Sequence, residues 1–392
     1  MAQRITWAVD DLAIELPSWG FANTGTRFAV FPQLGVPRDA FEKVDDAATV
    51  AQYTGIARSI ALHIPWDGLD GFGKLTDYAT ERGLVIGAIN SNTFQDHDYM
   101  LGALCHPSAK TRAKAVAAII RCCEIAAETG SKLVKVWLSD GTNYPGQDDL
   151  RARRHRLVEG LREVYGHLPE GTGMLLEYKF YEPALYSTDV QDWGQALSVC
   201  RLVGEKASVC VDTGHHAMGV NIEQIVAVLL AEGMLGGFDL NDKKYGDDDL
   251  MVGSIDPFQL FRIAHELVNA MRDDDDPIAQ RTANETVYML DQCHNIEAKV
   301  PAVIRSVMNL QEIFAKALLV DREALLAAQA AGDVLEANRV FTDAYATDVR
   351  AALSQLRVER GLPADPYQAY LESGEQAERE TTRVGGDAAS WT

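Results

Sequence analysis

Four acidic residues each stand at or next to the end of a short apolar segment: Glu177 in GMLLEYK, Asp212 in ASVCVD, Asp239 in LGGFDLN and Asp291 in ETVYMLD. If these segments are neighbouring parallel strands, their ends lie roughly 5 Å apart and the carboxylates converge. Like charges that close raise one another's pKa, and a divalent cation with oxygen ligands relieves the repulsion. The pattern therefore predicts a cation site that favours Mg²⁺ or Mn²⁺, with Ca²⁺ as an alternative.

A second group of potential ligands follows two of these segments. His215 lies three residues after Asp212 in VDTGHH, and Asp247 and Asp249 alternate in YGDDDL. One imidazole with carboxylates suits a slightly softer ion such as Mn²⁺ or Co²⁺. Two nearby cations could polarise adjacent oxygens of one substrate. The alternative for any single aspartate of this kind is a turn or a helix cap.

Other polar residues accompany the two groups. Lys179 lies two residues after Glu177, so both face one side of a strand, which predicts a charge pair or a substrate contact. His216 must point away from its neighbour and is interpreted as a structural histidine. Asp242 and Asp248 are interpreted as solvated loop residues, with capping as an alternative for Asp242.

The elements that must position these side chains are apolar segments alternating with helical patterns. The predicted strands are 27–31, 59–64, 84–90, 132–138, 173–179, 207–212, 235–241 and 285–291. This alternation predicts an α/β protein with a (β/α)8 TIM barrel, whose active sites lie at the carboxyl ends of the strands. His63, Asn90 and Trp137 also stand there. The rival, a doubly wound sheet, lacks its GxGxxG motif after the first strand.

The pattern changes after residue 300, where Ala/Leu-rich helical segments replace the alternation. We therefore predict a catalytic barrel over residues 1–300 and a C-terminal helical extension over residues 301–392. The extension is expected to make oligomer contacts.

Composition narrows the function. The chain has 392 residues, 47% of them hydrophobic, and a net charge of −21. That charge argues against a nucleic-acid partner and against an anionic membrane surface. No apolar run reaches the roughly 18 residues of a membrane span, and the first residues do not resemble a secretory leader. We expect a cytoplasmic protein whose six cysteines are reduced.

Taken together, several motifs resemble a known family. Glu177 with Lys179, VDTGHH, FDLN before YGDDDL, and MLDQCHN are similar to the metal-binding motifs of the xylose-isomerase-like TIM barrels. Within that group the resemblance is to bacterial L-rhamnose isomerases of broad sugar specificity. NTGTRFAVFPQ, HIPWD, NSNTFQD, KVWLSDGTNYPGQ and DPYQAYLESG extend the resemblance over about residues 20 to 375.

The resemblance implies a homotetrameric aldose–ketose isomerase with two divalent cations per subunit. Mn²⁺ is the favoured ion, with Mg²⁺ and Co²⁺ as alternatives. The first metal site would be Glu177, Asp212, Asp239 and Asp291, and the second His215, Asp247 and Asp249. The monosaccharide would be bound by Trp137, Phe28, Trp66 and Asn143, with Phe28 reaching in from a neighbouring subunit. The catalytic residues would be Lys179, Asp249, Asp291 and His63, the last contacting the sugar.

The implied reaction converts L-rhamnose to L-rhamnulose by a metal-assisted 1,2-hydride shift. Lys179 would stabilise negative charge on the sugar oxygen, while Asp249 and Asp291 would orient the water that carries the proton. One residue departs from the resemblance, because rhamnose isomerases of this type commonly have His where this chain has Asp239. The change makes the first site all-oxygen and favours harder ions.

Other functions of the same barrel remain as alternatives. A ketose 3-epimerase with an enediol mechanism would use Glu177 and Asp291 on either side of one carbon, but would leave Lys179 and the Asp247/Asp249 pair without a role. A DNA-repair endonuclease is disfavoured by the charge of −21. A sugar-binding protein without catalysis would usually be exported.

Overall fold

The computed structural model describes residues 1–26, 29–182, 186–293 and 296–384. Parallel strands close into an eight-stranded barrel, and each strand pairs with its neighbours in chain order until the last pairs with the first. These strands are β1 Ile14–Pro17, β2 Ala57–Ile64, β3 Val85–Ser91, β4 Leu133–Val136, β5 Gly173–Glu177, β6 Ala207–Asp212, β7 Leu235–Leu240 and β8 Val287–Leu290. The predicted (β/α)8 TIM barrel with C-terminal helices is confirmed.

The prediction of the first barrel strand at residues 27–31 was wrong. Residues Ala29–Phe31 pair with Thr24–Thr26 in a separate two-stranded hairpin, and Phe31 is 48% exposed. The barrel strand is instead Ile14–Pro17, which is buried throughout. Its short sequence, IELP, contains Glu15, and a charged residue in a four-residue segment hides the apolar signal on which the prediction depended. The other seven strands overlap the predicted segments.

The described helices are α1 Ala2–Ile5, α2 Trp7–Asp10, α3 Ala40–Thr54, α4 Gly73–Glu81, α5 Ala109–Thr129, α6 Leu150–Tyr165, α7 Trp193–Val203, α8 Ile222–Ala231, α9 Pro257–Met271, α10 Pro277–Glu285, α11 Lys299–Ala317, α12 Arg322–Ala331, α13 Val334–Ala346, α14 Arg350–Glu359, α15 Pro366–Ser373 and α16 Glu375–Thr382. Many begin at an aspartate whose carboxylate accepts a backbone N–H of the first turn: Asp39, Asp149, Asp192, Asp256, Asp276, Asp321, Asp333 and Asp365. Part of the acidic surplus therefore stabilises helix ends. Among the described helices, none combines the length and the apolar character needed to cross a bilayer.

The C-terminal helices pack on the barrel's outer ring. Helix α11 contacts α3 and α9, and α15 contacts both α3 and α11. The last turns are tied to the barrel by Arg379 and Arg383, whose guanidinium groups lie 2.9 and 2.8 Å from the buried carboxylate of Asp46. A division of the chain at residue 300 and an oligomeric role for these helices stay predictions.

The barrel interior contains charge as well as apolar side chains. Glu15 of β1 is 5% exposed, and its carboxylate accepts the Ala88 N–H at 3.2 Å and the Ser59 hydroxyl at 3.2 Å. It fits because residue 87 on β3 is glycine, since a Cβ there would overlap the Glu15 carboxylate. Gly87 therefore makes room for a buried acid beneath the carboxyl end of the barrel.

We expect Gly87→Ala to destabilise the protein by about 1–3 kcal/mol, because the added methyl group must displace a hydrogen-bonded carboxylate. Chemical denaturation would measure the change. The matched control is Gly73→Ala at the start of α4, where a Cβ meets no atom within 4 Å, and this variant should stay close to the parent. Equal midpoints for both variants would show that Glu15 can move aside without cost.

Candidate active site

A cavity of about 120 Å³ opens at the carboxyl ends of the strands. Its wall combines an aromatic side with a strongly charged side. The lining residues are Trp19, His63, Trp66, Asn90, Ser91, Phe94, Lys135, Trp137, Glu177, Lys179, Glu182, His215, Asp239, Asp247, Asp249, Asp291 and Cys293. This is the end of the barrel at which enzymes of this architecture place their chemistry.

Four carboxylates meet in this cavity or directly beside it. Glu177 ends β5, Asp212 ends β6 opposite Asp239 of β7, and Asp291 follows β8. One oxygen from each lies within 4.8 Å of the others. Asp212 is fully buried and does not itself line the cavity. The structure thus brings together the four residues predicted for the first metal site, and their role as ligands stays a prediction.

The electrostatics of this group fit a divalent cation. Burial, followed by the charges of neighbouring carboxylates, raises the pKa of Glu177 well above its usual range and that of Asp291 to about 8. Burial raises the pKa of Asp212 to about 6. The second oxygen of Asp239, Oδ2, is buried and has no hydrogen-bond partner among the residues described. A cluster of repelling oxygens with unused acceptor capacity could hold a metal.

His215 joins this cluster to the predicted second site. Its Nε2 lies 2.8 Å from Asp247 Oδ1, and its Nδ1 lies 3.2 Å from Glu177 Oε1 and 3.0 Å from the Tyr178 carbonyl oxygen. Burial acts to lower the pKa of His215, but the charges of Asp212, Asp247 and Glu177 raise it well above the usual value. In the structure, the imidazole is therefore a bridge between the two groups of acids.

The third predicted ligand of the second site lies close by. Asp249 lines the same cavity, and Asn241 Nδ2 lies 3.5 Å from its Oδ1. Burial, then the charges of Asp247 and Asp291, raises the pKa of Asp249 well above its usual range. Both Asp247 and Asp249 have left-handed backbone conformations, with φ of 55° and 48°. Few residues other than glycine adopt these angles, so the loop keeps an unfavourable backbone in order to aim two carboxylates at the cavity.

Two aspartates of this loop organise its backbone. Asp248 accepts the backbone N–H of Tyr245 at 2.8 Å, and Asp242 accepts the backbone N–H of Ile255 at 2.8 Å. Both side chains are half-buried. Asp242 and Asp248 are loop residues, as interpreted, but they are only partly solvated. The capping alternative for Asp242 is not borne out, because the residue that caps α9 is Asp256.

Lys179 forms a charge pair, although not with Glu177. Its Nζ lies 2.5 Å from Asp247 Oδ2 and 3.1 Å from Glu182 Oε2, and 5.0 Å from the centre of the Trp137 ring. Burial acts to lower the pKa of Lys179, but these two carboxylates raise it above its usual value. A protonated amine thus stands at the edge of the acidic cluster, facing the cavity.

The opposite wall is aromatic. The His63 ring stacks on Trp66 with centroids 3.8 Å apart and meets Trp19 edge-on at 5.3 Å, while Phe94 packs edge-on against Trp137 at 4.7 Å. Burial lowers the pKa of His63 to about 3, so the ring is neutral at physiological pH. Its Nδ1 is buried without a hydrogen-bond partner in the part of the chain that the structure describes. This wall can shield a small polar ligand from water.

One predicted sugar-binding residue lies away from the cavity, and another is not among the described residues. Asn143 does not line the cavity within this chain, and its Oδ1 accepts the Ser187 N–H at 3.0 Å in a surface loop. Phe28 lies outside the described residues. The roles of Asn143 and Phe28 in substrate binding stay predictions, as do those of Trp66 and Trp137, which do line the cavity. His216, the predicted structural histidine, is buried and hydrogen-bonded to the Tyr178 hydroxyl at 2.7 Å.

Several residues of the site were missed by the sequence analysis, among them Lys135, Trp19, Phe94 and Glu182. Lys135 of β4 contacts Asp239 Oδ1 inside the barrel, and Trp19 donates its ring N–H to Asp291 Oδ1 at 2.8 Å. A signal existed for Lys135, which lies two residues before Trp137 and so on the same side of the chain. None existed for Trp19, because it follows the strand that the sequence failed to reveal.

Another group of potential ligands lies outside the cavity. Cys105, Asp140 and Asp189 offer atoms within 4.8 Å of one another. However, Arg153 already pairs with Asp189 at 2.7 Å, and Asp140 accepts the backbone N–H groups of Ala103 and Cys105 at 2.8 and 2.7 Å. These groups satisfy one another, so the cluster stabilises the fold. The six cysteines are free thiols, as predicted.

Comparison with known proteins places these features in a group. A family model for xylose isomerase-like TIM barrels matches residues 41–271. A probable sugar isomerase of Mesorhizobium japonicum is 42% identical over 374 residues, which are 94% of this chain and 85% of that protein. A probable sugar isomerase of Rhizobium meliloti is 41% identical over 384 residues, which are 95% of this chain and 87% of that protein.

Solved structures with low sequence identity share the fold. A xylose isomerase domain protein from Alicyclobacillus acidocaldarius superposes with a TM-score of 0.54 at 14% identity, covering 78% of this chain and 99% of that one. A 3-keto-D-glucoside 4-epimerase from E. coli superposes with a TM-score of 0.52 at 16% identity, covering 77% and 99%. At this level of identity the likeness concerns the barrel alone.

Proposed function

The chain belongs to the xylose isomerase-like TIM barrel family, and from that premise we propose that it is a metal-dependent aldose–ketose isomerase. The substrate we propose is L-rhamnose, converted to L-rhamnulose, with activity on other aldoses. The observation that carries the proposal is the meeting of four carboxylates, three of them buried, with an imidazole and a protonated lysine in or directly beside one cavity with an aromatic wall. Close relatives described as probable sugar isomerases support the reaction class.

Two cation sites would share the cavity. Glu177, Asp212, Asp239 and Asp291 would hold one ion, and His215, Asp247 and Asp249 would hold the other. Carboxylates with one imidazole favour Mn²⁺, with Mg²⁺ and Co²⁺ as alternatives. When bound, the cations would polarise neighbouring oxygens of the sugar and lower the cost of negative charge on them.

The protein's own residues would orient the sugar and hold its protons. In the reaction, the hydrogen on C2 moves to C1 as a hydride, and the proton of the O2 hydroxyl moves to O1. Lys179 would donate a hydrogen bond to the oxygen on which charge develops. The neutral His63 ring would hydrogen-bond a sugar hydroxyl, and Asp249 and Asp291 would orient the water that carries the proton. Trp137 and Phe94 would exclude bulk water from the hydride's path.

A ketose 3-epimerase is the second candidate, and the position of two acids favours it. Glu177 and Asp291 lie in one cluster of carboxylates, where they could serve as the acid and the base on either side of one carbon. Against it, the Lys179–Asp247 pair would have no part in such a reaction. The isomerase therefore accounts for more of the site.

The deciding experiment is an isomerisation assay on chelator-stripped protein with and without Mn²⁺. L-Rhamnose would be compared with L-mannose, L-lyxose, D-allose, D-xylose and D-ribose, with ketose measured by chromatography. Metal-dependent ketose from any aldose supports the reaction class, and the fastest aldose identifies the substrate. Deuterium placed on C2 should stay in the product after a hydride shift and wash out after an enediol. No turnover, with cation binding intact, would rule out the isomerase.

We expect Lys179→Met to lower kcat/KM by roughly 10²- to 10³-fold, since one positioned donor to a developing oxyanion is typically worth that much. Mn²⁺ affinity, measured by calorimetry, should change far less than turnover. The matched control is Lys114→Met, which removes an exposed lysine paired with Asp96 and Asp98 on the surface. If both variants kept parental kcat/KM, Lys179 would have no role in the transition state.

A further inference from the structure

Lys135 is a buried lysine in the middle of the barrel, beside the acidic cluster. It is 3% exposed, its Nζ contacts Asp239 Oδ1, and Asp239 is 1% exposed. The Nζ also lies 3.7 Å from Met289 Sδ, and the buried carboxylates of Glu15 and Glu177 are near enough to attract its charge. Lysine is rarely buried to this extent unless it is paired, and losing one partner of such a pair is costly. Removing either Lys135 or Asp239 would therefore leave the charge of the other buried and unpaired.

The two oxygens of Asp239 are used differently. Oδ1 contacts Lys135, whereas Oδ2 is buried and finds no hydrogen-bond donor within the described ranges. Asp239 also belongs to the four carboxylates whose oxygens lie within 4.8 Å of one another. One carboxylate thus connects a fixed ammonium group to the proposed cation site.

The positive charge of Lys135 acts both on the four carboxylates and on any cation bound among them. The four ionised carboxylates would carry four negative charges, and Lys135 supplies one positive charge that cannot leave. Before a cation binds, that charge offsets part of the repulsion within the cluster. After a cation binds, the same charge repels it across Asp239, because like charges in a buried region interact strongly.

We propose that Lys135 is a built-in counter-charge for the four-carboxylate cluster: it keeps Asp239 and its neighbours assembled without a metal, and it weakens the binding of the cation. Lys135 is in this sense a positioning residue. The inference rests on the proposed cation site, although not on the identity of the sugar. It explains how a site with four acids can stay formed while its ion exchanges.

The test is a double-mutant cycle on the full chain after chelation, with Lys135→Met, Asp239→Asn and the double variant. Two quantities are measured without any sugar: the unfolding temperature of the stripped protein and its Mn²⁺ affinity by calorimetry. Lys135→Met should lower the unfolding temperature by roughly 5 °C or more and tighten Mn²⁺ binding by roughly tenfold or more. Asp239→Asn should lower both stability and affinity, because it leaves the ammonium group unpaired beside the ion.

If Lys135→Met alone does not fold, the effect of removing Lys135 can still be measured by comparing Asp239→Asn with the double variant. Removing the ammonium group in that background should raise the unfolding temperature and strengthen Mn²⁺ binding. The matched control is Lys43→Met, which breaks another buried pair, with Asp67 at 2.6 Å, away from the cluster. It should destabilise the protein and leave Mn²⁺ affinity unchanged.

Two results would overturn the proposal. One is weaker or unchanged Mn²⁺ binding in Lys135→Met, together with no gain from removing Lys135 in the Asp239→Asn background. The other is a parent protein that binds no Mn²⁺, which would also remove the cation site. A parent that binds Mn²⁺ and follows the predicted cycle, but turns over no aldose, would support the role of Lys135 and reject only the isomerase.

Discussion

Glu177→Gln is expected to abolish metal-dependent ketose formation, with a loss of at least roughly a thousandfold in kcat/KM. Glu177 is the side chain that connects the two proposed cation sites. It belongs to the four-carboxylate cluster and its Oε1 lies 3.2 Å from His215 Nδ1. The substitution keeps the shape of the side chain and removes one negative charge. The ion should therefore bind more weakly, and the imidazole of His215 should be held less firmly in its orientation.

The fold should survive this change. Burial and neighbouring acids raise the pKa of Glu177 well above its usual range, so this position disfavours the charged form of the side chain. An uncharged glutamine of the same shape should therefore be tolerated there. The unfolding temperature of the stripped variant should therefore stay near that of the parent, while the stabilisation produced by Mn²⁺ should largely disappear.

The matched control is Glu266→Gln, which makes the same substitution on a half-buried acid of α9 that does not line the cavity and whose pKa is also raised by burial. It should retain most of the activity and most of the Mn²⁺-induced stabilisation. Full activity in Glu177→Gln, measured at saturating Mn²⁺, would contradict the assignment of Glu177 as a ligand.

The metal-stripped protein should lose stability as pH rises from about 4 to about 8. Burial raises the pKa of Asp212 to about 6 and that of Asp291 to about 8, against an ordinary value near 4. An acid with a raised pKa in the folded state binds more protons when folded than when unfolded. Its stabilising effect is present at low pH and is lost as pH rises through the folded pKa.

This effect should be large. Each such group contributes a slope of up to about 1.4 kcal/mol per pH unit over its own window, so the two together amount to several kcal/mol. Urea unfolding between pH 4.5 and 8 would measure it. Saturating Mn²⁺ should remove the decline, because a bound cation stabilises the ionised acids. Asp291→Asn should flatten the upper part of the profile, and a flat profile in the stripped parent would contradict the raised pKa values.

Much of the barrel could be predicted because seven of its strands are apolar segments with clear helical patterns between them. The first strand could not, since IELP has an acid in its centre and becomes recognisable only when Gly87 is seen to accommodate that acid. Local propensity instead favoured the segment at 27–31, whose described part is a half-exposed hairpin strand. The fold decided between these segments through a contact between residues far apart in sequence.

The candidate site, like the barrel, was predictable only in part. Convergence of Glu177, Asp212, Asp239 and Asp291 followed from barrel geometry, because parallel strands end at one side. The partner of Lys179 did not follow, since strand spacing favoured Glu177 and the structure supplies Asp247 from a loop. Alternation along one strand shows which way a side chain points, but not which neighbour from another strand or loop will meet it.

The left-handed backbone at Asp247 and Asp249 has a consequence for protein engineering. A stability-guided redesign would replace both with glycine or asparagine, which tolerate these angles better. A library of variants selected for heat resistance would therefore be enriched in clones that have lost these two carboxylates of the cavity. Screens for thermostable variants of this enzyme should therefore exclude these two codons from randomisation and seek their gains on the outer helices.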